Sequence, residues 1–182
     1  MIDFFHKGGV LMWPILCCSV VALALIVAKG FQFRGVLRRI SPSIDLVIRE
    51  KPGEIAPVID GIQRGLDDKQ VAFIGTKQIR SLEKGLGVIS LISVIAPLLG
   101  FTGTVTGMIS AFMTIASHGG SRVDPSMVAG GIYEALITTA GGLFVAIPSH
   151  IALHFLEDRL DEIAVRMKDV AMALCERRAN GI

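Results

Sequence analysis

The sequence predicts an all-α integral membrane protein with three transmembrane helices, the second and third of which extend into the cytoplasm. The chain is apolar: 52% of its residues are hydrophobic and its mean hydropathy is +0.62, whereas about 45 to 50% apolar residues are typical of soluble domains. Residues 10–28 and 85–117 carry no charge, and residues 135–156 carry none apart from two histidines. A bilayer core about 30 Å thick requires about 20 apolar residues per helix, so each window is long enough to cross it.

The first segment, residues 1–29, contains the N-terminus and the first transmembrane helix. A cleaved signal peptide has an apolar region of only about 7 to 15 residues, followed by a small-residue cleavage site. The uncharged run at residues 10–28, which leads to Lys29, is longer than such a region. We therefore expect a retained helix, in which Trp13 lies at the membrane interface.

The basic residues predict how the chain crosses the membrane. Of the 18 Lys and Arg residues, all except Lys7 and Arg122 lie in residues 29–84 or after residue 156. Because basic residues concentrate on the cytoplasmic side, we expect the N-terminus and the loop at residues 118–127 to face outward. The net charge of +2, with 16 acidic residues interspersed among the basic ones, gives no indication of nucleic-acid binding.

Residues 30–84 form the predicted cytoplasmic helical segment, which is too short to be an enzyme domain with a core of its own. Its second half is predicted to be helical, and the apolar pattern continues directly into residues 85–117, the second transmembrane helix. The residues that recur at helical spacing are Ile79, Leu82, Leu86 and Ile89. We therefore expect the second helix to project into the cytoplasm without a break.

The third transmembrane helix is predicted at residues 128–156, with Asp124 as its N-cap and Pro125 at the first helical position. It leads into a cytoplasmic C-terminal helix at residues 157–182. Apolar residues at alternating spacings of three and four form a heptad stripe along this end: Leu153, Leu156, Leu160, Ile163, Met167, Val170 and Leu174. The heptad stripe packs either on another helix of the same chain or on a neighbouring copy. The large apolar surface favours self-association.

Small and hydroxyl-bearing residues mark the second and third membrane helices. Small residues allow membrane helices to approach closely, and on the second helix a row of them shares one face: Gly100, Thr104, Gly107, Ala111 and Thr114. Gly103, on the same helix, is also predicted to serve helix packing. On the third helix, Thr139 and Gly142 lie on one face, and Thr138 and Gly141 lie with Glu134 on the adjacent face.

Glu134 is the one carboxylate in the sequence of the predicted third transmembrane helix, residues 128–156. A charged side chain at the centre of a membrane helix costs about 2.5 to 3.5 kcal/mol, so such a residue is first considered functional. Enough apolar residues follow Glu134 to span the bilayer without it. Glu134 is therefore either a functional residue within the membrane or a residue at its outer interface.

Other polar or irregular positions predict no chemistry. Pro97 and Pro148 lie inside membrane helices, where proline removes a backbone hydrogen bond and is expected to kink the helix. His150 and His154 lie one turn apart, but two ligands are too few for a metal site. The chain contains no catalytic or nucleotide-binding motif. We therefore expect no catalytic residue, no bound metal and no cofactor.

Two stretches are similar to the ExbB/TolQ/MotA family of ion-driven motor subunits. They are APLLGFTGTVTGM at residues 96–108 and GGIYEALITTAGGLFVAIP at residues 130–148. FFHKGGVLMWPIL, at residues 4–16, also resembles the start of ExbB-type chains. MotA-type subunits have four membrane helices, so a chain with three predicted helices resembles ExbB and TolQ more closely.

The resemblance implies a multi-pass protein of the bacterial inner membrane, with a periplasmic N-terminus and a cytoplasmic C-terminus. It implies a homopentamer around a dimer of a single-span ExbD/TolR-like protein, together with a TonB-like protein. Ions would enter from the periplasm and reach an aspartate of the partner. Charging and neutralising that aspartate would rotate the homopentamer and the partner dimer relative to each other. By motif position, Thr104 and Thr139 face that aspartate, Glu134 lies near the periplasmic entrance, and Pro97 and Pro148 kink the helices.

The translocated ion is left open between proton and sodium. Proton-driven members resemble E-A-L-L-A-T where this chain has E-A-L-I-T-T, with Thr138 in place of alanine. The extra hydroxyl suits sodium, which prefers oxygen ligands, but it suits equally a bond back to Glu134 or to its own helix.

The alternatives to a motor subunit are a self-contained ion channel or small transporter and a passive membrane scaffold. The process driven is also open between TonB-dependent import, a Tol system and motility.

Overall fold

The computed structural model describes residues 8–40, 42, 44–117 and 125–179, and all regular secondary structure within them is helical. The helices are α1 (Met12–Ile40), α2 (Ile44–Glu50), α3 (Ala56–Gln63), α4 (Asp68–Glu83), α5 (Leu86–Ser117) and α6 (Pro125–Ala179). Asp124 and Arg122 lie outside the described residues, as does Lys7.

The chain divides into two compact units. The first unit comprises Met1–Leu25 and Val88–Leu153, and the second unit comprises Ile26–Gly87 and His154–Ile182. The first unit contains the hydroxyl and small residues that the sequence singled out. The second unit contains most of the charged residues.

Three helices are long and apolar enough to cross a membrane: α1, α5 and residues Val128–Arg178 of α6. Large apolar side chains on them are exposed, with Trp13 65%, Phe112 62% and Phe144 74% accessible. Exposure to water would be unfavourable for such side chains, whereas lipid solvates them. These findings confirm the prediction of an all-α protein with three transmembrane helices.

Helix α1 continues past residue 29, the predicted end of the first segment. Phe33, Val36 and Ile40 are almost fully buried, and their spacings of three and four extend one buried face of the helix. Pro42 follows soon after, and proline does not continue a helix because it lacks a backbone N–H. The helix therefore ends where its apolar periodicity and its backbone hydrogen bonding both stop.

The second membrane helix does not extend unbroken into the preceding segment. A turn separates α4 from α5: Lys84 has a ψ of 127° and Gly85 a φ of +97°. Glycine adopts this φ readily because it has no Cβ. Leu82, Leu86 and Ile89 are nevertheless all buried. The apolar face thus continues across the turn, but the predicted uninterrupted helix is wrong.

The heptad stripe packs within the chain. Its seven residues range from 0% exposed at Ile163 to 9% at Leu174. In the second unit, polar contacts also attach the end of α6: Arg178 Nη1 donates to the carbonyl oxygen of Ile62 at 3.1 Å, and Arg177 forms an ion pair with Asp45. Of the two packing partners that the sequence left open, the structure selects the same chain.

Candidate ion-pathway site

Glycines bring α5 and α6 into close contact within the first unit. A Cβ placed on Gly107 would lie 2.7 Å from the carbonyl oxygen of Gly131, and one on Gly142 would lie 2.5 Å from that of Ala96. Both distances are shorter than real Cβ contacts, so a larger residue would push the two backbones apart. Small residues at such positions allow the close helix packing seen in membranes.

Thr139 connects the two helices through a hydrogen bond. Its Oγ1 donates to the carbonyl oxygen of Gly100 at 2.9 Å and lies 3.2 Å from that of Ala135 in its own helix. A hydroxyl has a single proton, so the two carbonyls share it. The backbones are also close here, because a Cβ on Gly100 would lie 3.0 Å from the Cα of Thr139.

Thr104 lies on α5 one turn after Gly100 and, like Thr139, is half-buried. Its Oγ1 donates to the carbonyl oxygen of Phe101 at 2.6 Å. The protons of both hydroxyls are therefore directed at backbone carbonyls, while the lone pairs of both oxygens remain able to accept a hydrogen bond. The two residues provide acceptors without any fixed charge.

Thr138 lies on a different face from Thr139 and is 1% exposed. Its Oγ1 donates to the carbonyl oxygens of Gly8 and Glu134, both at 2.8 Å. Gly103 of α5 makes room for it, since a Cβ there would lie 2.5 Å from the Cγ2 of Thr138. The hydroxyl therefore links α6 to the segment before α1.

Glu134 is exposed, and its carboxylate lies against the backbone of Gly9. Gly9 has a φ of +67°, and a Cβ there would overlap with Oε1 of Glu134. On the same face of α6, a Cβ on Gly141 would lie 3.2 Å from the Sδ of Met12. The face that carries Glu134 therefore meets the start of α1, and at Thr138 it also contacts Gly103 of α5.

The contribution of Gly8 and Gly9 to this arrangement was missed at the sequence level. A Cβ on Gly8 would collide with the side chain of Met12 and lie 3.1 Å from the Cγ2 of Ile137. The available signal was the pair of glycines directly before the first apolar window. Neighbouring glycines there indicate a backbone that must turn and lie close to another element.

Both intramembrane prolines lie inside continuous helices, Pro97 in α5 and Pro148 in α6. Nearby serines bond to their own helices: Ser93 Oγ donates to the carbonyl oxygen of Ser90 at 2.8 Å, and Ser149 Oγ to that of Val145 at 2.7 Å. The kinks expected at the prolines remain predictions.

Within the described residues, the two histidines on α6 do not belong to a larger group of potential metal ligands. His150 and His154 are both exposed. Across the described ranges, no three His, Cys, Asp or Glu side chains are grouped in a way that holds a metal ion. The candidate site therefore consists of hydroxyls, glycines and one carboxylate.

The comparison with known proteins agrees with the motifs. A sequence model of the MotA/TolQ/ExbB proton channel family matches residues 53–169. The chain is 32% identical to a protein named biopolymer transport protein ExbB-like 1 from Synechocystis sp., over 81% of this chain and 66% of that protein.

Two further relatives carry the names of the same family. The chain is 29% identical to biopolymer transport protein exbB1 from Vibrio cholerae, over 78% of this chain and 72% of that protein. It is 40% identical to the Tol-Pal system protein TolQ from Haemophilus influenzae, over 48% of this chain and 37% of that protein. The chain therefore spans only part of the length of each of these relatives.

Proposed function

The chain belongs to the MotA/TolQ/ExbB proton channel family, and on this premise we propose that it is an ion-driven motor subunit of ExbB/TolQ type. Proteins of this family are ion-channel stator subunits, not enzymes. The three apolar helices and the ExbB and TolQ relatives make the chain a multi-pass inner-membrane protein. In the proposed function, downhill ion flow is converted into rotation or force.

The observation that carries this proposal is the pair of half-buried hydroxyls of Thr104 and Thr139. Because backbone carbonyls take their protons, each oxygen is disposed to accept a hydrogen bond. A protonated carboxylic acid can donate that bond, whereas an ionised carboxylate cannot. The pair therefore favours the neutral form of a carboxyl group brought against it, and it has no positive charge that would hold the ionised form in place.

The carboxyl group is proposed to come from another protein. In the part of the first unit that the structure describes, Glu134 is the one acidic residue, and its carboxylate lies against Gly9. An aspartate on the membrane helix of an ExbD/TolR-like protein would supply the missing group. Five copies of this chain would surround a dimer of that partner, and a TonB-like protein would transmit the work to envelope processes such as TonB-dependent import.

The proton is the ion that we favour for this motor. A cation such as sodium requires several oxygen ligands at one place. Thr138, the extra hydroxyl that would help to supply them, is buried against Gly8 on a different face from Thr139. Two uncharged hydroxyls suit the transfer of a proton to and from a carboxylate better than the dehydration of a sodium ion.

The test is ion flux into proteoliposomes under separate proton and sodium gradients. The samples contain this chain alone, this chain with its ExbD/TolR-like partner, or this chain with a partner whose membrane aspartate is replaced by asparagine. We expect flux only with the unmodified partner and only under the proton gradient. Equal flux from this chain alone would contradict the motor and favour a self-contained channel. Flux that requires the unmodified partner but occurs only under the sodium gradient would support the motor and contradict the choice of the proton.

A further inference from the structure

An open groove of about 720 Å³ lies between α1 and α6 in the second unit. We call it the boundary groove, and its main lining residues are Val27, Phe31, Arg34 and Arg38 of α1 and Phe155 and Arg159 of α6. The α1 residues recur at spacings of four, three and four, which places them on one face of the helix. Among the described residues that line the groove, none is acidic.

The polarity of the boundary groove changes along its length. Phe31 and Phe155 are 71% and 66% exposed, so each helix presents an aromatic side chain to the groove. Arginines follow further along both helices, and Arg38 lies about 16 Å beyond Val27 at 1.5 Å per residue. One end of the groove is therefore apolar and the other is cationic.

The change from apolar to cationic side chains along the boundary groove coincides with the end of two uncharged runs of the sequence, at residues 28 and 156. The headgroup layer on each side of a bilayer core is about 5 to 8 Å thick. Arg159 lies about 5 Å beyond residue 156 along its helix, and Arg34 lies about 9 Å beyond residue 28. Long arginine side chains reach back toward the interface, so the guanidinium groups of Arg159 and Arg34 are placed at headgroup depth, with Arg38 about 6 Å further along α1.

The arginines of the groove keep most of their positive charge uncompensated. Within the described part of the chain, Arg34 and Arg38 form no ion pair, whereas Arg39, just outside the groove, pairs with Glu54 at 3.0 Å. Arg159 bonds to Glu162 of its own helix at 2.7 Å and is 60% exposed. Guanidinium groups match the geometry of phosphate oxygens and bind them with two parallel hydrogen bonds.

We propose that the boundary groove binds an anionic phospholipid. The phosphate contacts the arginines, and one acyl chain covers the exposed aromatic side chains. A free phosphate ion would leave the apolar end of the groove uncovered, and a zwitterionic lipid would leave net positive charge unbalanced. This proposal depends on the location of the chain in a membrane and not on its motor activity.

The test uses the full chain purified in a nonionic detergent. It is mixed with equal amounts of phosphatidylglycerol and phosphatidylcholine with the same acyl chains, and native mass spectrometry counts each lipid bound. We expect phosphatidylglycerol to bind preferentially. The substitutions R34Q, R38Q and R159Q should each lower its affinity about fivefold, as expected for single basic residues near an anionic lipid surface. Phosphatidylcholine binding should not change.

A matched control carries R64Q, R80Q and R166Q, which remove the same charge from exposed positions outside the groove. An equal loss of phosphatidylglycerol affinity in the control and in the groove variants would overturn the proposal, because general charge attraction would then explain the binding. Displacement of phosphatidylglycerol by inorganic phosphate would also overturn it and identify a simple anion site. If a variant that combines R34Q, R38Q and R159Q misfolds by circular dichroism, the single variants decide the question, and an unchanged affinity in all three single variants contradicts the proposal.

Discussion

The Oγ1 atom of Thr139 donates a hydrogen bond to the carbonyl oxygen of Gly100 at 2.9 Å and so joins α6 to α5. The bond is possible only because the helices approach closely, with the Cα of Thr139 3.0 Å from where a Cβ of Gly100 would lie. The same contact therefore combines helix packing with a hydroxyl oxygen that can still accept a hydrogen bond. These two roles can be separated by substitution.

Replacing Thr139 with valine should reduce partner-dependent ion flux by about tenfold or more, which corresponds to roughly 1.4 kcal/mol. Valine keeps the shape of threonine but removes the acceptor, whereas T139S should retain flux because the hydroxyl remains. The loss of one net hydrogen bond should cost only about 0.5 to 1.5 kcal/mol of stability. Flux assays and thermal unfolding in detergent measure the two effects separately.

The control for this substitution is T102V. Thr102 is an exposed threonine on α5 whose Oγ1 donates to the carbonyl oxygen of Leu98 at 2.8 Å within its own helix. The T102V substitution should leave the flux unchanged. Equal flux in the wild type and T139V would show that the hydroxyl of Thr139 does not take part in ion transfer.

Replacing Gly142 with alanine should destabilise the first unit, because the added methyl would lie 2.5 Å from the carbonyl oxygen of Ala96. Overpacking of this kind costs about 1 to 3 kcal/mol, and it should appear as a lower unfolding temperature in detergent. The matched control is G130A on the same helix, where no atom lies within 4 Å of the added Cβ. A similar decrease in both variants would indicate that helix packing is not the cause.

Replacing Gly85 with alanine should lower the stability of the turn between α4 and α5. Gly85 has a φ of +97°, and residues with a Cβ pay roughly 1 to 2 kcal/mol in left-handed conformations. G87A adds the same methyl two residues later in α5, into open space, and should be neutral or stabilising by up to about 1 kcal/mol. Thermal unfolding compares the stability of the two variants. An unchanged unfolding temperature for G85A would contradict the turn between α4 and α5.

The interaction between Lys51 and Asp60 should make stability depend on pH. Lys51 Nζ donates to Asp60 Oδ1 at 2.6 Å, and this hydrogen bond holds the pKa of Asp60 below its ordinary value of 3.8. Because the folded pKa is the lower one, the stabilisation is fully present above the ordinary pKa and is lost as the pH falls through the folded pKa. Lys51→Met should therefore destabilise the protein near pH 6 but not at the lowest pH at which the protein stays folded.

Unfolding temperatures of the wild type and Lys51→Met across this acid range measure the effect. Lys69→Met, at an exposed lysine of α4, removes the same charge without removing the bond to Asp60. A pH-independent difference between Lys51→Met and the wild type would contradict the assignment. The effect would then belong to the bond from Lys51 Nζ to Gln63 Oε1 at 2.8 Å, which does not titrate.

Local patterns predicted much of this protein correctly. The uncharged windows predicted the three membrane helices because a bilayer selects length and composition, which are local properties. The spacing of the heptad stripe likewise predicted which side of α6 is buried. The turn at Gly85 was missed because Leu82 and Leu86 keep helical spacing across it, so the apolar pattern does not register the change in backbone direction.

For the candidate site, residue types and spacing were enough to assign Thr138 and Thr139 to neighbouring faces of one helix. Which neighbour covers each face depends on contacts between residues far apart in the chain. Folding places Thr139 against Gly100 and encloses Thr138 between Gly8 and Gly103. Helical periodicity specifies the direction of a side chain from its own axis, but its partner follows from how closely the backbones of different helices can approach.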